Sequence, residues 1–403
     1  MRTAKRLILW LAICLPLSAL AQIDPVRRDL IQFGYNQPLE GKAPLAAYAF
    51  YYHNQPDFIH TNMTLRVALA PVYLDSELGF VHGLGPQTDF AIGLAGGGFA
   101  DSYNEFDAGK WNEQESFDGH GAELNASIYH LFNPQDQIPL NFVLHGAAHY
   151  TVYEQNDDTA PSFHPPDDGG IFSLRTGLRY GGVEPTLFPD LAMELAVWSE
   201  SQYRTDYGDY GYANNPFYAH EFTQLFWASA ALDYTLPKSH QSFAVRVIGG
   251  TSIDVDRLSA YRLGGYLPLV AEYPLSLPGY FFQEFTAKQF VLINASYTLP
   301  ITPDERWGLL FNGATAGMDY VTGAGEPGNW VSGVGAGIMF RSHDDRFKVI
   351  VGYAYGIDAI RDENRGASSI SVLLQFDLGK TIRKDFDPAE PGRWRGWGWI
   401  FGR

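Results

Sequence analysis

The sequence is poor in cysteine, in cations and in long apolar runs. Its single cysteine, Cys14, stands among 403 residues, so no internal disulfide can form and the fold must close by hydrogen bonding and packing. Lys and Arg total 28 against 45 Asp and Glu, a formal charge of -17. That balance argues against nucleic acid as a partner, because phosphate neutralisation needs clustered cations. Beyond the first 21 residues, no apolar run approaches the roughly 20 residues of a bilayer-spanning helix. Charged residues make up 18% of the chain, against about 25% in ordinary soluble domains. Mean hydropathy is nonetheless -0.16, which sets aside a helical membrane protein. What the chain does have is 9 Trp, 24 Tyr, 27 Phe and 42 Gly. Many aromatics and little charge mean surface placed somewhere other than bulk water, and the composition suits a barrel.

Residues 1–21 read as a secretory signal peptide. Arg2, Lys5 and Arg6 form its charged start, Leu7 to Ala19 its apolar stretch, and Ala19-Leu20-Ala21 the cleavage site, leaving Gln22 as the first mature residue. Cys14 lies inside this segment and follows Ile13, so neither lipidation nor a mature thiol is expected. Loss of three cations with the leader takes the mature balance to -20.

The remainder alternates with period two. Leu191, Met193, Leu195 and Val197 share one face and oppose Glu194. Val291, Ile293, Ala295, Tyr297 and Leu299 oppose Asn294, Ser296 and Thr298. Phe347, Val349, Val351, Tyr353, Tyr355 and Ile357 oppose Lys348. Such segments are strands with one apolar and one mixed face. Short turns such as Thr302-Pro303-Asp304-Glu305 alternate with long polar stretches, Tyr153 to Gly170, Ser199 to Pro216 and Val321 to Trp330. Tight turns at one end and long loops at the other are the asymmetry of an outer-membrane barrel. The expected fold is all-β: an antiparallel transmembrane β-barrel of about sixteen strands, with fourteen as the alternative count. Sixteen candidates run through residues 46–379, among them 260–273, and a weaker one covers 28–35. The expected organisation is signal peptide 1–21, a short N-terminal periplasmic segment 22–45, barrel 46–379 and a Trp/Arg-rich periplasmic tail 380–403. Tyr51, Tyr52, Phe58, Tyr150, Tyr153, Trp198, Tyr203, Trp227, Tyr234, Trp307, Tyr320 and Trp330 lie near segment ends, where interfacial girdles form.

The last third carries a more particular pattern. Tyr261-Arg262-Leu263-Gly264-Gly265 is followed by Leu277-Pro278-Gly279-Tyr280, then by Phe290 to Pro300, a Gly-rich strand (Leu309 to Asp319), Gly333-Val334-Gly335-Ala336-Gly337 and Val351-Gly352-Tyr353. Over about residues 240–379 this order resembles the barrel of the bacterial surface antigen family, which includes BamA-like insertases and two-partner secretion transporters. The resemblance implies a loop folded back into the lumen, a role in outer-membrane assembly or translocation, and a seam between first and last strands as the working part. It also implies an Arg at the loop tip paired with an Asp on a following strand. Here Pro278 replaces the Arg, and Asn312 and Gly313 stand nearest the Asp position. Losing both members together leaves neither as an unpaired buried charge. With fewer than thirty residues before the first confident strand, the chain resembles a barrel-only member without a periplasmic repeat domain. Gly366, Val372, Leu374, Phe376 and Leu378 form the alternating terminal strand that barrel-assembly machinery recognises in that class.

Other residues point to no chemistry. His145 and His149 lie four apart, about 13 Å along a strand, too far to share a metal, and suit a lumen or interface lining. Asp157, Asp158, Asp167 and Asp168 make an acidic, solvated external loop, with divalent-cation binding as the alternative. His60-Thr61-Asn62 and Ser239-His240 are polar neighbours only, since adjacent strand residues face opposite ways. No catalytic residue, cofactor or metal is expected. Trp394, Trp397, Trp399 and Phe401, interleaved with Arg393, Arg395 and Arg403, suit an anionic leaflet or a periplasmic contact, with a loosely ordered extension as the alternative. The expectation is a Gram-negative outer-membrane barrel in contact with outer-membrane lipid and lipopolysaccharide, inserted by the barrel-assembly machinery. A passive diffusion pore and a plugged structural or surface-interaction barrel are the alternatives.

Overall fold

The computed structural model describes residues 23–379 except 137, 184, 188–191, 237–238, 270, 272 and 322–327. The expected signal peptide and the Trp/Arg-rich tail fall outside the described residues. Strands β1 (Arg28–Pro38), β2 (Ala46–Pro56), β3 (Met63–Leu69), β4 (Tyr73–Gly85), β5 (Thr88–Gly97), β6 (Lys110–Leu131), β7 (Leu140–Glu154) and β8 (Gly169–Val183) form the first half of a wall. Strands β9 (Ala192–Arg204), β10 (Phe222–Thr235), β11 (Ser242–Ile253), β12 (Phe285–Pro300), β13 (Trp307–Tyr320), β14 (Trp330–Arg341), β15 (Phe347–Arg361) and β16 (Asn364–Asp377) form the second. Each pairs antiparallel with the next. β16 returns to β1 over nine residue pairs, Leu30↔Asp377 to Pro38↔Ser369, and closes a sixteen-stranded barrel.

The alternation decides which face looks where. On β9, Leu195 and Val197 are both 53% exposed, while Glu194, Ala196 and Trp198 between and beside them are buried. On β15, Val351, Tyr353, Tyr355 and Ile357 face outward, while Lys348, Ile350 and Ala354 are buried within. This is the reverse of a soluble sandwich: aliphatic residues coat the outside and ionisable ones line the inside. Such an outside is stable only against hydrocarbon, and hydrocarbon in turn demands a closed ladder.

The start of β1 and the end of β16 lie at one end of the barrel, here called the terminal end. At the far end the connections are longer and carry their own structure. Tyr103–Asp107 pairs with the extension of β6, and Phe163–His164, Gly208–Tyr212 and Asn215–Ala219 form a separate three-stranded sheet. Phe117, Phe163, Tyr210 and Ala219 are buried together beneath it, capping that end with an aromatic dome.

Three expectations are corrected. Residues 28–38 belong to the wall rather than to a segment ahead of it, because their amides close the ladder to β2 and β16. Conversely, among the described residues of 260–273 only Tyr261–Leu263 form a strand. Gly264 and Gly265 hold positive φ of 138° and 65°, which turns the chain inward, and its apolar Leu263 and Leu267 are buried in the lumen instead of facing lipid. The count of sixteen stands with one strand exchanged for another. Finally, Phe58, Tyr150, Tyr203, Tyr234, Trp307 and Trp330 are exposed as a girdle requires, but Tyr52 and Trp198 are buried inside.

The outward orientation of β9 makes a measurable prediction. Leu195→Arg, placed against hydrocarbon, destabilises the barrel by about 2–4 kcal/mol, read from urea unfolding in lipid vesicles. An unchanged midpoint would put Leu195 in the lumen.

Candidate functional site in the barrel lumen

Between β11 and β12 the chain leaves the wall at residue 254 and rejoins it at 285. This long loop holds the motif residues. Gly264 donates its N–H to the Leu275 carbonyl at 3.0 Å, and Leu277 donates to the Gly265 carbonyl at 2.9 Å, so the loop folds back on itself. A Cβ on Gly264 would lie 2.2 Å from the Phe281 carbonyl oxygen, which leaves room for glycine alone. Leu263, Leu277 and Tyr280 are fully buried with Phe285 and Phe290 of β12. Arg262 donates to the carbonyls of Asn104 (2.6 Å) and Gln283 (2.8 Å), tying the loop to the dome.

The tip residues dock on β14 and β15. The Tyr280 hydroxyl donates to the Ser332 carbonyl at 3.0 Å and accepts from the Asp358 N–H at 3.3 Å. Gly279 has φ of 86°, and a Cβ there would fall 1.9 Å from the Gly356 nitrogen. At Gly333, a Cβ would meet the Pro278 carbonyl oxygen at 2.0 Å. Two bare backbones on the wall and one on the loop thus permit the contact. Where the resemblance implies a tip Arg and a wall Asp, the structure holds a pair of the opposite polarity. The loop supplies Glu284 and the wall supplies Arg361, joined by two hydrogen bonds of 2.8 and 2.7 Å with both side chains at most 2% exposed. The guanidinium also lies 3.5 Å from the Phe281 ring centroid. Asn312 and Gly313 line the cavity instead.

The loop also reaches the β9–β10 wall and the barrel floor. Tyr273 packs against the stacked rings of Trp198 and Trp227, on β9 and β10. Leu267 is buried with Leu310, Met339, Ile350 and Leu373, and with Leu187 of the β8–β9 turn. That turn crosses the lumen to the seam, because β8 and β9 stand opposite β1 and β16 in the ring. Gln32 of β1 and Gln375 of β16 are direct partners whose side chains bond at 2.9 Å. Gln32 also donates to the Pro185 carbonyl at 3.1 Å, and Gln375 accepts from the Leu187 N–H at 2.8 Å. Lys348 donates to the Leu187 carbonyl at 3.0 Å. The turn is therefore bonded to strands on both sides of the seam.

Above the lumen, Arg257 and Glu105 pair in the dome, and Arg204 pairs with Asp256. Asp256 also accepts N–H bonds from His220, Leu258 and Ser259. Burial pushes the Tyr103 phenol up, against the opposing pull of Arg262, so it stays neutral and donates to Glu105 at 2.6 Å. A cavity of about 1350 Å³ remains open in the lumen, lined in part by Arg66, Asp75, Glu77, Glu123, His145 and His149. His145 bonds Ser127 at 2.8 Å and His149 bonds Asp101 at 2.7 Å. Among the described residues no cluster of ligands could hold a metal ion.

No family model and no curated protein matches the sequence. Solved structures do. The chain is similar to CdiB from Acinetobacter baumannii, with a TM-score of 0.55 and 9% identity over 87% of this chain and 60% of that one. It is similar to BamA from Haemophilus ducreyi lacking POTRA domains 1-3, with a TM-score of 0.51 and 10% identity over 86% and 70% of the two chains. CdiB from Escherichia coli gives 0.53 and 10% over 86% and 63%. The fold is that of the BamA-like and CdiB barrels. At such identities the likeness is one of architecture, and this chain spans 60% of the length of the first CdiB.

Within this BamA-like barrel, sequence reasoning found the loop motif and missed its lock. Glu284 stands four residues past Tyr280, yet Arg361 lies 77 residues further on, with no local signal of the partnership. Gln32 and Gln375 were missed because 28–35 read only as a weak strand.

Two variants probe these contacts. Glu284→Ala strands a buried cation and costs about 3–5 kcal/mol, seen as new protease cleavage within 254–284. Adding Arg361→Met recovers most of that loss. At the seam, Gln375→Leu removes the acceptor of one Gln32 amide hydrogen and of the Leu187 N–H, at about 1–3 kcal/mol. Hydrogen exchange of the β1 amides then accelerates while that of β9 does not.

Proposed function

We propose that this protein is a barrel of a Gram-negative cell outer membrane that assembles or translocates protein or lipid through its wall, with its terminal end toward the periplasm. One observation carries this reading. The loop between β11 and β12 fills much of the lumen and is locked to the wall through Glu284 and Arg361, in a barrel with the fold of BamA and CdiB. A loop held by a buried ion pair and by close backbone contacts is built to stay inside. Traffic is then directed to the wall, and the seam is the one place where chain connectivity does not join neighbouring strands.

The apolar band meets outer-membrane lipid and lipopolysaccharide. On β16, Val372, Leu374 and Phe376 share the outward face, with Gly366 near its start and Leu378 just past its end. That strand is the one the barrel-assembly machinery would read during this chain's own insertion. No catalytic residue is assigned. A diffusion channel is the second reading, favoured by the residual cavity of about 1350 Å³.

The test is a reversible lock. Phe33 and Leu374 are direct seam partners, and the only native cysteine, Cys14, lies in the expected leader. Phe33→Cys with Leu374→Cys, oxidised in cells, is expected to reproduce the loss of other outer-membrane components seen on depletion, and reduction to reverse it. Locked protein that works normally rules out the seam. Steady conductance through the locked barrel in planar bilayers would favour the channel.

A further inference from the structure

The wall is not of even height. β3 has 7 residues, short of the about 9–11 that a tilted strand needs to cross a bilayer. Its far end is joined to β4 by residues 70–72 alone. β2 pairs with β3 only from Tyr51↔Leu69 to Pro56↔Thr64, whereas its pairing with β1 continues to Ala46↔Asn36. Residues Ala46–Phe50 therefore have a partner strand on one side and, among the described residues, none on the other. In an antiparallel strand every second residue turns both its N–H and its C=O to the same neighbour. A row of unanswered amides thus faces a gap above the β3–β4 hairpin.

The gap borders the lumen cavity. Tyr48 and Phe50 point to the lumen and Ala47 and Ala49 to the outside, yet all four line the lumen cavity, together with Ala70, Pro71 and Val72 of the hairpin. The rim is apolar: Leu69, Val72, Leu74 and Phe99 are each at least 40% exposed. Deeper in, Arg66 is held by Asp75 through two bonds of 2.9 and 3.2 Å.

We propose that the far half of β2, Ala46–Phe50, is a docking edge for an extended polypeptide strand of alternating polarity, received sideways through this gap. The chemistry selects the occupant. Unsatisfied amides at membrane depth cost several kcal/mol each, and an acyl chain has nothing with which to answer them. A strand answers the whole row by adding to the sheet. Its apolar residues face lipid beside the small Ala47 and Ala49, and its polar ones face the cavity. The site lies on the opposite side of β1 from the seam. The proposal rests on the reading that this barrel handles polypeptide.

The test uses the purified full-length protein in lipid vesicles, with photoactivatable benzoylphenylalanine at Ala49, at Ile31 of β1 or at Leu195 on the far wall, and Ala47 as a second site in place of Ala49. The probe is a synthetic peptide of residues 364–377 of this chain, alongside a copy N-methylated at alternate amides. Labelling at Ala49 well above that at Leu195 is expected. It should fall roughly tenfold or more with the methylated copy, the worth of two net hydrogen bonds. Equal labelling by both peptides, or adducts with lipid alone at Ala49 and Ala47, overturns the docking edge. Labelling at Ile31 but at neither β2 site overturns it too, and leaves the seam reading standing. Silence at all positions overturns both.

Discussion

The structure depends on a single constraint: amides surrounded by hydrocarbon have no water to bond, so each must find another amide. The sixteen-strand ladder meets that demand by returning to its own beginning, from Asp377 to Leu30 and from Ser369 to Pro38. Closure fixes everything else. It turns the aliphatic face of the strands outward and gathers the polar face within, where Glu194, Gln32, Lys348 and Gln375 are buried. A barrel of this width then encloses more space than its inward side chains fill, and a second layer of packing becomes necessary.

That second layer is built from the loop 254–284 and the β8–β9 turn. Together they act as the core of the protein. The loop joins three places that share no sequence proximity: the dome through Arg262, the β14–β15 wall through Gly279, Tyr280 and Glu284, and the barrel floor through Leu267. Leu267 shares a buried cluster with Leu187, and the backbone of Leu187 is bonded to Gln375 and Lys348 beside the seam. A continuous chain of contacts therefore runs from the far-end dome to the β1–β16 pairing. Buried polar contacts of this kind fix one arrangement strongly, because breaking any member leaves another unsatisfied in a poor solvent. The seam is thus held by nine residue pairs in the wall and by the turn from within.

Much of the wall was legible along the chain. Period-two alternation located β9, β12 and β15 and gave their outward faces correctly, since lipid contact and lumen contact sort residues by polarity alone. The glycines of the loop were legible as a motif, and their positive φ at Gly264, Gly265 and Gly279 supplies the reason for them. The assignment of 260–273 as a strand failed for a physical reason: residues that fill a lumen are as apolar as residues that face lipid. Trp198 and Trp227 were placed in a girdle on the same ground, and they grip Tyr273 inside.

The sequence by itself determined that the chain forms a closed, lipid-facing sheet of about sixteen strands, because composition and alternation are local properties that hydrocarbon reads directly. Only the tertiary structure decided which strand closes the ring, that Glu284 answers Arg361, and that Gln32 and Gln375 meet across the seam beneath Leu187. Those contacts join residues from 77 to 343 positions apart. Nothing in either neighbourhood encodes the other, and only the geometry of a closed ring brings them into one place.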